Sequence, residues 1–139
     1  MSNIVVDTNT LVQIISPRSR YHRIYQSLVD GTHHLCVTTE ILEEYEEILM
    51  RLTRNDIAKT IMRAITENPS TIFITTYYHF GLIVSDPDDN KFVDCAFAAG
   101  ADYLVSEDGH FKVLREISFP SLNLVTLDEF MKSRVVVTG

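Results

Sequence analysis

Carboxylates stand after apolar segments at widely separated points of the chain. Asp7 directly follows the apolar residues 4–6, Asp89 lies in the polar turn 85–90, and Asp108 comes shortly after the apolar residues 103–105. If these acids meet at one edge of a parallel sheet, they occupy the edge where ligands bind in open α/β folds. Clustered acids repel one another, and the counter-charge that suits them is Mg²⁺ or Mn²⁺, which bind carboxylate oxygens. Such an ion also binds phosphate oxygens and activates water, so the pattern predicts metal-dependent phosphoryl chemistry.

Asp7 also has a simpler interpretation. Asp, Thr and Asn are good N-caps, so Asp7, Thr8 and Asn9 could serve only to start a helix near Leu11. The unbroken apolar run before Asp7 is typical of a central strand buried on both faces. We expect Asp7 at the carboxyl end of that strand, and the other acids favour a metal ligand over a cap alone.

Short apolar runs alternate with helical periodicity along the whole chain. The apolar runs predict five strands, at residues 4–6, 35–37, 72–74, 103–105 and 122–125. This alternation predicts a three-layer α/β/α domain with a central, mainly parallel sheet of about five strands. We expect one domain over residues 1–133 and a loose C-terminal tail at 134–139.

The helix predicted after the second strand carries a further acid. Thr38 or Thr39 is a suitable N-cap, and apolar residues recur along one stripe of this helix. Five glutamates occupy its other faces. Glu44 borders the apolar stripe, so we expect it to point toward the sheet edge, with Glu43 and Glu47 as alternatives that periodicity leaves open.

Composition restricts the class of protein. The 139-residue chain is 45% apolar and 22% charged, as in an ordinary soluble domain. No apolar run approaches the ~18 residues that span a bilayer, and the basic start of a secretion signal is missing, so we expect a cytoplasmic protein without membrane contact. Cys36 and Cys95 lie far apart in apolar surroundings, which favours buried reduced thiols over a zinc site or disulfide.

The charge balance argues against nucleic-acid binding by a basic surface alone. The formal net charge is −7, whereas non-specific nucleic-acid binding is driven by basic surface. A divalent cation held between carboxylates and phosphate removes this objection. One basic cluster, formed by Arg18, Arg20 and Arg23 around His22, is either a solvated loop or a set of phosphate contacts.

Taken in order, these motifs resemble the PIN-domain family. The resemblance covers nearly the whole chain and depends on the ordered set of motifs. It is carried by Val-Asp7-Thr-Asn, the Thr-started helix with Glu44-Tyr45, Asp86-Pro-Asp-Asp89-Asn-Lys-Phe, Ala96 with Gly100-Ala-Asp, and Leu-Val-Ser106-Glu-Asp108. The closing Val125-Thr-Leu-Asp-Glu-Phe130 is similar to the end of the PIN branch regarded as toxins of bacterial toxin-antitoxin systems.

The resemblance implies a ribonuclease that uses Mg²⁺ or Mn²⁺ to hydrolyse RNA phosphodiester bonds. In the toxin branch it also implies an antitoxin protein that blocks the acidic pocket, through an inserted Arg or Lys. Four positions match the family's catalytic and metal-binding acids: Asp7, Glu44, Asp89 and Asp108.

The resemblance also implies residues that support the acids. The supporting positions are Thr8 or Asn9 beside the first acid, Ser106 at the end of the fourth strand, and Asp86 as a further acid. Arg18, Arg20 and Arg23 are the expected RNA contacts, because the acidic site itself repels an RNA backbone. His110 fits a general base, but its HxF pattern favours a structural role.

Two other classes compete with this interpretation. A haloacid-dehalogenase-like phosphatase needs a second aspartate where Asn9 stands, and a receiver domain needs a lysine after a late strand, where none occurs. A non-catalytic nucleic-acid or protein binding module would keep the fold, although the presence of all four acids favours an enzyme. The RNA target, the number of metal ions and the oligomeric state, including a homo-oligomer, are not determined by the sequence.

Overall fold

The five predicted strands form one sheet. A computed structural model describes residues 2–83, 86–116 and 122–132 of the chain. The strands are β1 (Asn3–Val6), β2 (His34–Val37), β3 (Ile72–Phe73), β4 (Tyr103–Val105) and β5 (Leu124–Val125). Their order is β3-β2-β1-β4-β5, and every neighbouring pair is parallel. The predicted α/β/α class with a mainly parallel sheet is confirmed.

Helices connect the strands, as parallel pairing requires. They are α1 (Thr8–Ile15), α2 (His22–Val29), α3 (Thr39–Leu52), α4 (Asn55–Thr66), α5 (Asn90–Ala99) and α6 (Leu127–Lys132). Two 3-10 segments, Pro87–Asp89 and Gly109–Glu116, follow the same alternation. Helix α5 packs against β1, β2 and β4, and it is therefore the helix closest to the centre of the sheet.

The central strand is buried on both sides. Ile4, Val5 and Val6 have no exposed surface. Because successive side chains of a strand point to opposite faces, both faces of the sheet are covered. Cys36 and Cys95 are buried free thiols, as expected, and burial raises the pKa of Cys95 to about 12.

The helix ends show where local sequence signals hold and where they do not. Thr38 caps α3 by accepting a hydrogen bond from Ile41 N at 3.2 Å. Helix α4 starts after Arg54, whose side chain makes no capping hydrogen bond. Its buried residues are Ala58, Met62 and Ile65, whereas the apolar residue Ile57 is 44% exposed.

Two structural predictions concern other parts of the chain. None of the helices in the described ranges is long and apolar enough to cross a membrane. The predicted tail at 134–139 lies outside the described residues.

Candidate active site

The carboxyl ends of β1 and β4 meet where the strand order changes direction. The chain builds β2 and β3 on one side of β1, and β4 and β5 on the other. A crevice at such a switch point is the usual ligand site of an open α/β sheet. Asp7 follows β1 and Ser106 follows β4. Ser106 Oγ donates to Asp7 Oδ2 at 2.9 Å and accepts from Asp108 N at 2.9 Å, so one hydroxyl joins the two strand ends.

Asp7 is both the cap of α1 and a buried acid of the crevice. Its Oδ1 accepts from Thr10 N at 3.2 Å, and the residue is 4% exposed. Burial raises the pKa of Asp7, hydrogen bonds from Thr10 and Ser106 counteract that rise, and the charge of Asp108 adds to it. Asp7 therefore caps α1, and its role as a metal ligand stays a prediction.

The polar turn before α5 brings two further aspartates to the crevice. Asp86 Oδ1 accepts from Asp88 N at 3.3 Å and so caps the 3-10 segment. Asp89 occupies the N-cap position of α5, but its side chain makes no capping hydrogen bond. The Asp89 carboxylate is therefore available to the crevice. Burial, followed by the charges of Asp86 and Asp108, raises the pKa of Asp89 to about 6.

His110 lies among three of these acids. Its Nδ1 is 3.4 Å from Asp89 Oδ2, 3.4 Å from Asp108 Oδ1 and 3.8 Å from Asp86 Oδ2. Its backbone N–H also donates to Asp108 Oδ1 at 2.9 Å. The HxF pattern favoured a structural role for this histidine, whereas the fold places its ring in contact with the acid cluster.

The donor set suits a divalent cation. Ligand atoms of Asp86, Asp89 and His110 lie within 4.8 Å of one another. Within residues 2–83, 86–116 and 122–132, no lysine or arginine forms an ion pair with Asp7, Asp86, Asp89 or Asp108. Carboxylate oxygens with one imidazole are ligands of hard or borderline cations such as Mg²⁺ and Mn²⁺. A cation would also relieve the mutual repulsion that raises the pKa of Asp89.

Glu44 borders this cluster through Thr8. Thr8 Oγ1 donates a hydrogen bond to Glu44 Oε2, and Lys91 Nζ donates to Glu44 Oε1 at 2.6 Å. Glu43 and Glu47, the alternatives that periodicity left open, are exposed. Glu44 is thus the glutamate of α3 that contacts the start of α1, and its charge is balanced by Lys91.

Of the predicted RNA contacts, Arg18 and Arg20 lie on the loop between α1 and α2, and Arg23 lies in the first turn of α2. Arg18 and Arg23 are exposed, whereas Arg20 is paired with Asp128 at 2.7 Å. The hydrogen bonds from Arg20 and Tyr21 to Asp128 hold this loop against α6.

Two polar groups in the crevice were not recognised in the sequence. Thr10 is 1% exposed and its Oγ1 accepts from Glu107 N at 3.0 Å, so it links α1 to the turn after β4. Its position three residues after the cap Asp7 is the signal that could have identified it. No local sequence pattern identifies Lys91, because its partner Glu44 lies on another helix, 47 positions away. Asn9, proposed with Thr8 as a support for the first acid, is exposed.

The fold and crevice define an α/β protein with a cluster of acids at the switch point of a parallel sheet. Residues 3–110 match the family model described as PIN domain, and the chain belongs to the PIN domain family. No curated protein matches the chain.

Solved structures show the same fold at low identity. VapBC2 from Rickettsia felis, bound to a DNA fragment from its promoter, matches at 16% identity with a TM-score of 0.62, over 89% of this chain and 98% of the other. DNA-bound VapBC from Salmonella typhimurium matches at 15% identity with a TM-score of 0.60, over 91% of this chain and 99% of the other. The RRP44 PIN domain of T. brucei matches at 16% identity with a TM-score of 0.52, over 99% of this chain and 83% of the other.

Proposed function

We propose that this protein is an endoribonuclease that hydrolyses RNA phosphodiester bonds with Mg²⁺ or Mn²⁺, and that it is the toxin of a toxin-antitoxin pair. PIN domains are generally nucleases, which supports the reaction class. The observation that carries the proposal is the convergence of Asp7, Asp89 and Asp108 at the switch point. Asp108 lies close enough for its charge to raise the pKa of both Asp7 and Asp89, and the charge of Asp7 also contributes to the raised pKa of Asp89.

The chain's own groups hold the acids in place. Ser106 Oγ binds Asp7 Oδ2 and the backbone N–H of Asp108, which fixes these two residues relative to each other. The backbone N–H of Thr10 binds the other carboxylate oxygen of Asp7. When bound, a divalent cation neutralises phosphate charge and lowers the pKa of a bound water. Asp7, Asp86, Asp89 and Asp108 would hold that cation.

Glu44 and His110 complete the proposed acid and donor set. We assign Glu44 to the acid set because Thr8, the residue next to Asp7, contacts it directly. His110 would bind the cation through Nδ1 or, without a cation, hold Asp89 and Asp108 together by hydrogen bonding.

The exposed arginines are the proposed phosphate contacts. Arg18, on the loop before α2, and Arg23, in the first turn of α2, are exposed, whereas Arg20 is already paired with Asp128. Since each phosphate contact releases counterions, RNA binding should weaken as salt rises.

The toxin assignment predicts a protein partner. The structures that share this fold include two VapBC complexes with DNA. An antitoxin would inhibit this chain by covering the acidic crevice, and an inserted Arg or Lys side chain would supply the opposite charge.

Cleavage of a mixed RNA pool tests the proposal. Wild-type protein should cleave RNA with Mn²⁺ or Mg²⁺ and should lose this activity in EDTA. Asp89→Asn should lower the rate of RNA cleavage by at least about 100-fold, since it removes a charged group from the site of bond cleavage. Asp88→Asn is the matched control, because Asp88 is an exposed acid of the same turn.

The same assay separates the proposal from its rivals. Activity that survives both EDTA and Asp89→Asn would reveal a contaminant or a different mechanism. No cleavage of RNA with either metal would favour a non-catalytic binding module. Equal cleavage of single-stranded DNA would contradict the assignment to RNA.

A further inference from the structure

Both carboxylate oxygens of Glu44 are engaged by other side chains of the protein. Thr8 Oγ1 donates to Oε2, and Lys91 Nζ donates to Oε1 at 2.6 Å. The side chains of Glu44 and Lys91 are only 27% and 17% exposed, so salt screens their attraction less than it does at an open surface. A hydrogen bond between two charged groups is among the stronger kinds. The Glu44 carboxylate is therefore neutralised and held in place by the chain itself.

The four aspartates proposed to hold the cation have no such partner. In the part of the chain that the structure describes, none of them pairs with a lysine or an arginine. Lys91 lies in the first turn of α5, two residues after Asp89, yet its ammonium group is bonded to Glu44. Repulsion between like charges remains among the aspartates, whereas an opposite charge already balances Glu44. The acids of the crevice are thus of two kinds, and only the aspartates still need a counter-charge.

Helix α3 contacts the chain on both sides of Asp7. Tyr45 is fully buried and its hydroxyl donates to Val6 O, while Glu44, the residue before it, accepts from Thr8. Val6 and Thr8 are the two chain neighbours of Asp7. These contacts fix the backbone from which the Asp7 side chain enters the crevice. Glu44 therefore acts on the position of Asp7 through Thr8.

We propose that Glu44 and Lys91 are a positioning pair: Lys91 supplies the positive charge at Glu44, Glu44 holds Thr8 beside Asp7, and Glu44 is not a ligand of the cation. This inference rests on the proposed function and limits the ligands of the cation to the aspartates and His110. A pair of this kind has a testable property. Removing both of its charges together leaves the ligands of the cation unchanged, because the amide oxygen of Glu44→Gln still accepts from Thr8.

A double-mutant cycle on Mn²⁺ binding, measured by calorimetry on the full chain, tests the pair. Lys91→Met leaves Glu44 without its counter-charge, so Mn²⁺ affinity should rise by at least about threefold. Glu44→Gln leaves an unbalanced ammonium group near the crevice and should weaken Mn²⁺ binding by at least about threefold. Glu44→Gln combined with Lys91→Met restores the charge balance and should bind Mn²⁺ within about threefold of wild type.

An exposed ion pair on the same helix is the matched control. Glu47 and Arg51 lie 3.2 Å apart with side chains that are each 66% exposed, so Glu47→Gln with Arg51→Met should alter neither Mn²⁺ affinity nor Tm. Thermal unfolding in EDTA checks that every variant is folded. Lys91→Met should lower Tm, and adding Glu44→Gln should restore part of the loss, because no partly buried charge is then left unpaired.

The double variant gives the deciding result. Mn²⁺ binding weaker than wild type by more than about threefold would overturn the inference, because Glu44 would then contribute to the cation beyond its pairing with Lys91. Mn²⁺ affinity retained by the double variant, in a protein that cleaves no RNA, would support the inference and contradict the nuclease proposal. Cleavage by wild type together with weak Mn²⁺ binding by the double variant would support the nuclease and overturn the inference. A wild type that binds no Mn²⁺ would contradict both.

Discussion

Removing the charge of Asp89 should stabilise the metal-free protein. The pKa of Asp89 is raised from 3.8 to about 6 by burial and by the charges of Asp86 and Asp108. The folded protein therefore holds its proton more tightly than the unfolded chain, so stability falls as pH rises from about 4 to about 6. Above about pH 6 the folded protein bears the full free-energy cost of a charged Asp89. Asp89→Asn keeps the shape of the side chain and removes this cost.

The magnitude follows from the size of the shift. At about 1.4 kcal/mol per pKa unit, the shift of Asp89 corresponds to about 3 kcal/mol. Solvent contact at this partly exposed carboxylate reduces the expected gain to about 1 to 2 kcal/mol. For a chain of this size, such a gain raises Tm by about 3 to 8 °C.

Thermal unfolding in EDTA measures this effect. The Tm of Asp89→Asn should exceed that of wild type at pH 7.5, and the difference should shrink as the pH is lowered toward 5. Asp88→Asn, which alters an exposed acid of the same turn, should change stability by less than about 0.5 kcal/mol. An Asp89→Asn protein with unchanged or lower Tm at pH 7.5 would refute the view that the acids repel one another in the folded state.

Three further predictions concern ligands of the crevice. Mg²⁺ or Mn²⁺ should raise the Tm of wild type by more than that of Asp7→Asn, and equal shifts in thermal unfolding would place the metal elsewhere. Ser106→Ala, which frees Asp7 and Asp108 from their shared hydroxyl, should weaken metal affinity in calorimetry by about 10- to 100-fold, and an unchanged affinity would remove Ser106 from the support of the site. Replacing both Arg18 and Arg23 by Gln should lower the slope of log K against log salt for RNA by about 2, whereas an unchanged slope would exclude these arginines as phosphate contacts.

The parallel sheet was predictable because its strands are short apolar runs with no alternation. Ile4, Val5 and Val6 are buried on both faces, and only a central strand of a covered sheet needs three apolar residues in succession. Helix starts were less predictable. In α4, Ala58 is buried and Ile57 is not, because the packed face of the helix follows Ala58, Met62 and Ile65.

The placement of the aspartates was predictable from the sheet, but their partners were not. An acid after a parallel strand must lie at the carboxyl edge, whereas the contacts of Lys91 and His110 depend on how separate elements pack. The ion pair between Lys91 and Glu44 joins residues 47 positions apart, and periodicity carries no information about such a pair. The contact between His79 Nδ1 and Asp94 Oδ2, at 3.2 Å, has the same origin, because it forms where residues 74–83 lie against α5.

The hydrogen bond between Ser106 and Asp7 spans 99 positions of the chain. Such a contact closes a long loop, so it costs more chain entropy to form than the local turns of α1 or α3. During synthesis, a chain that has not yet produced β4 contains Asp7 and Glu44 but no crevice, because the pairing of β1 with β4 and the Ser106 hydroxyl are both missing. The site is assembled only when β4 has been produced, and an incomplete chain cannot contain it.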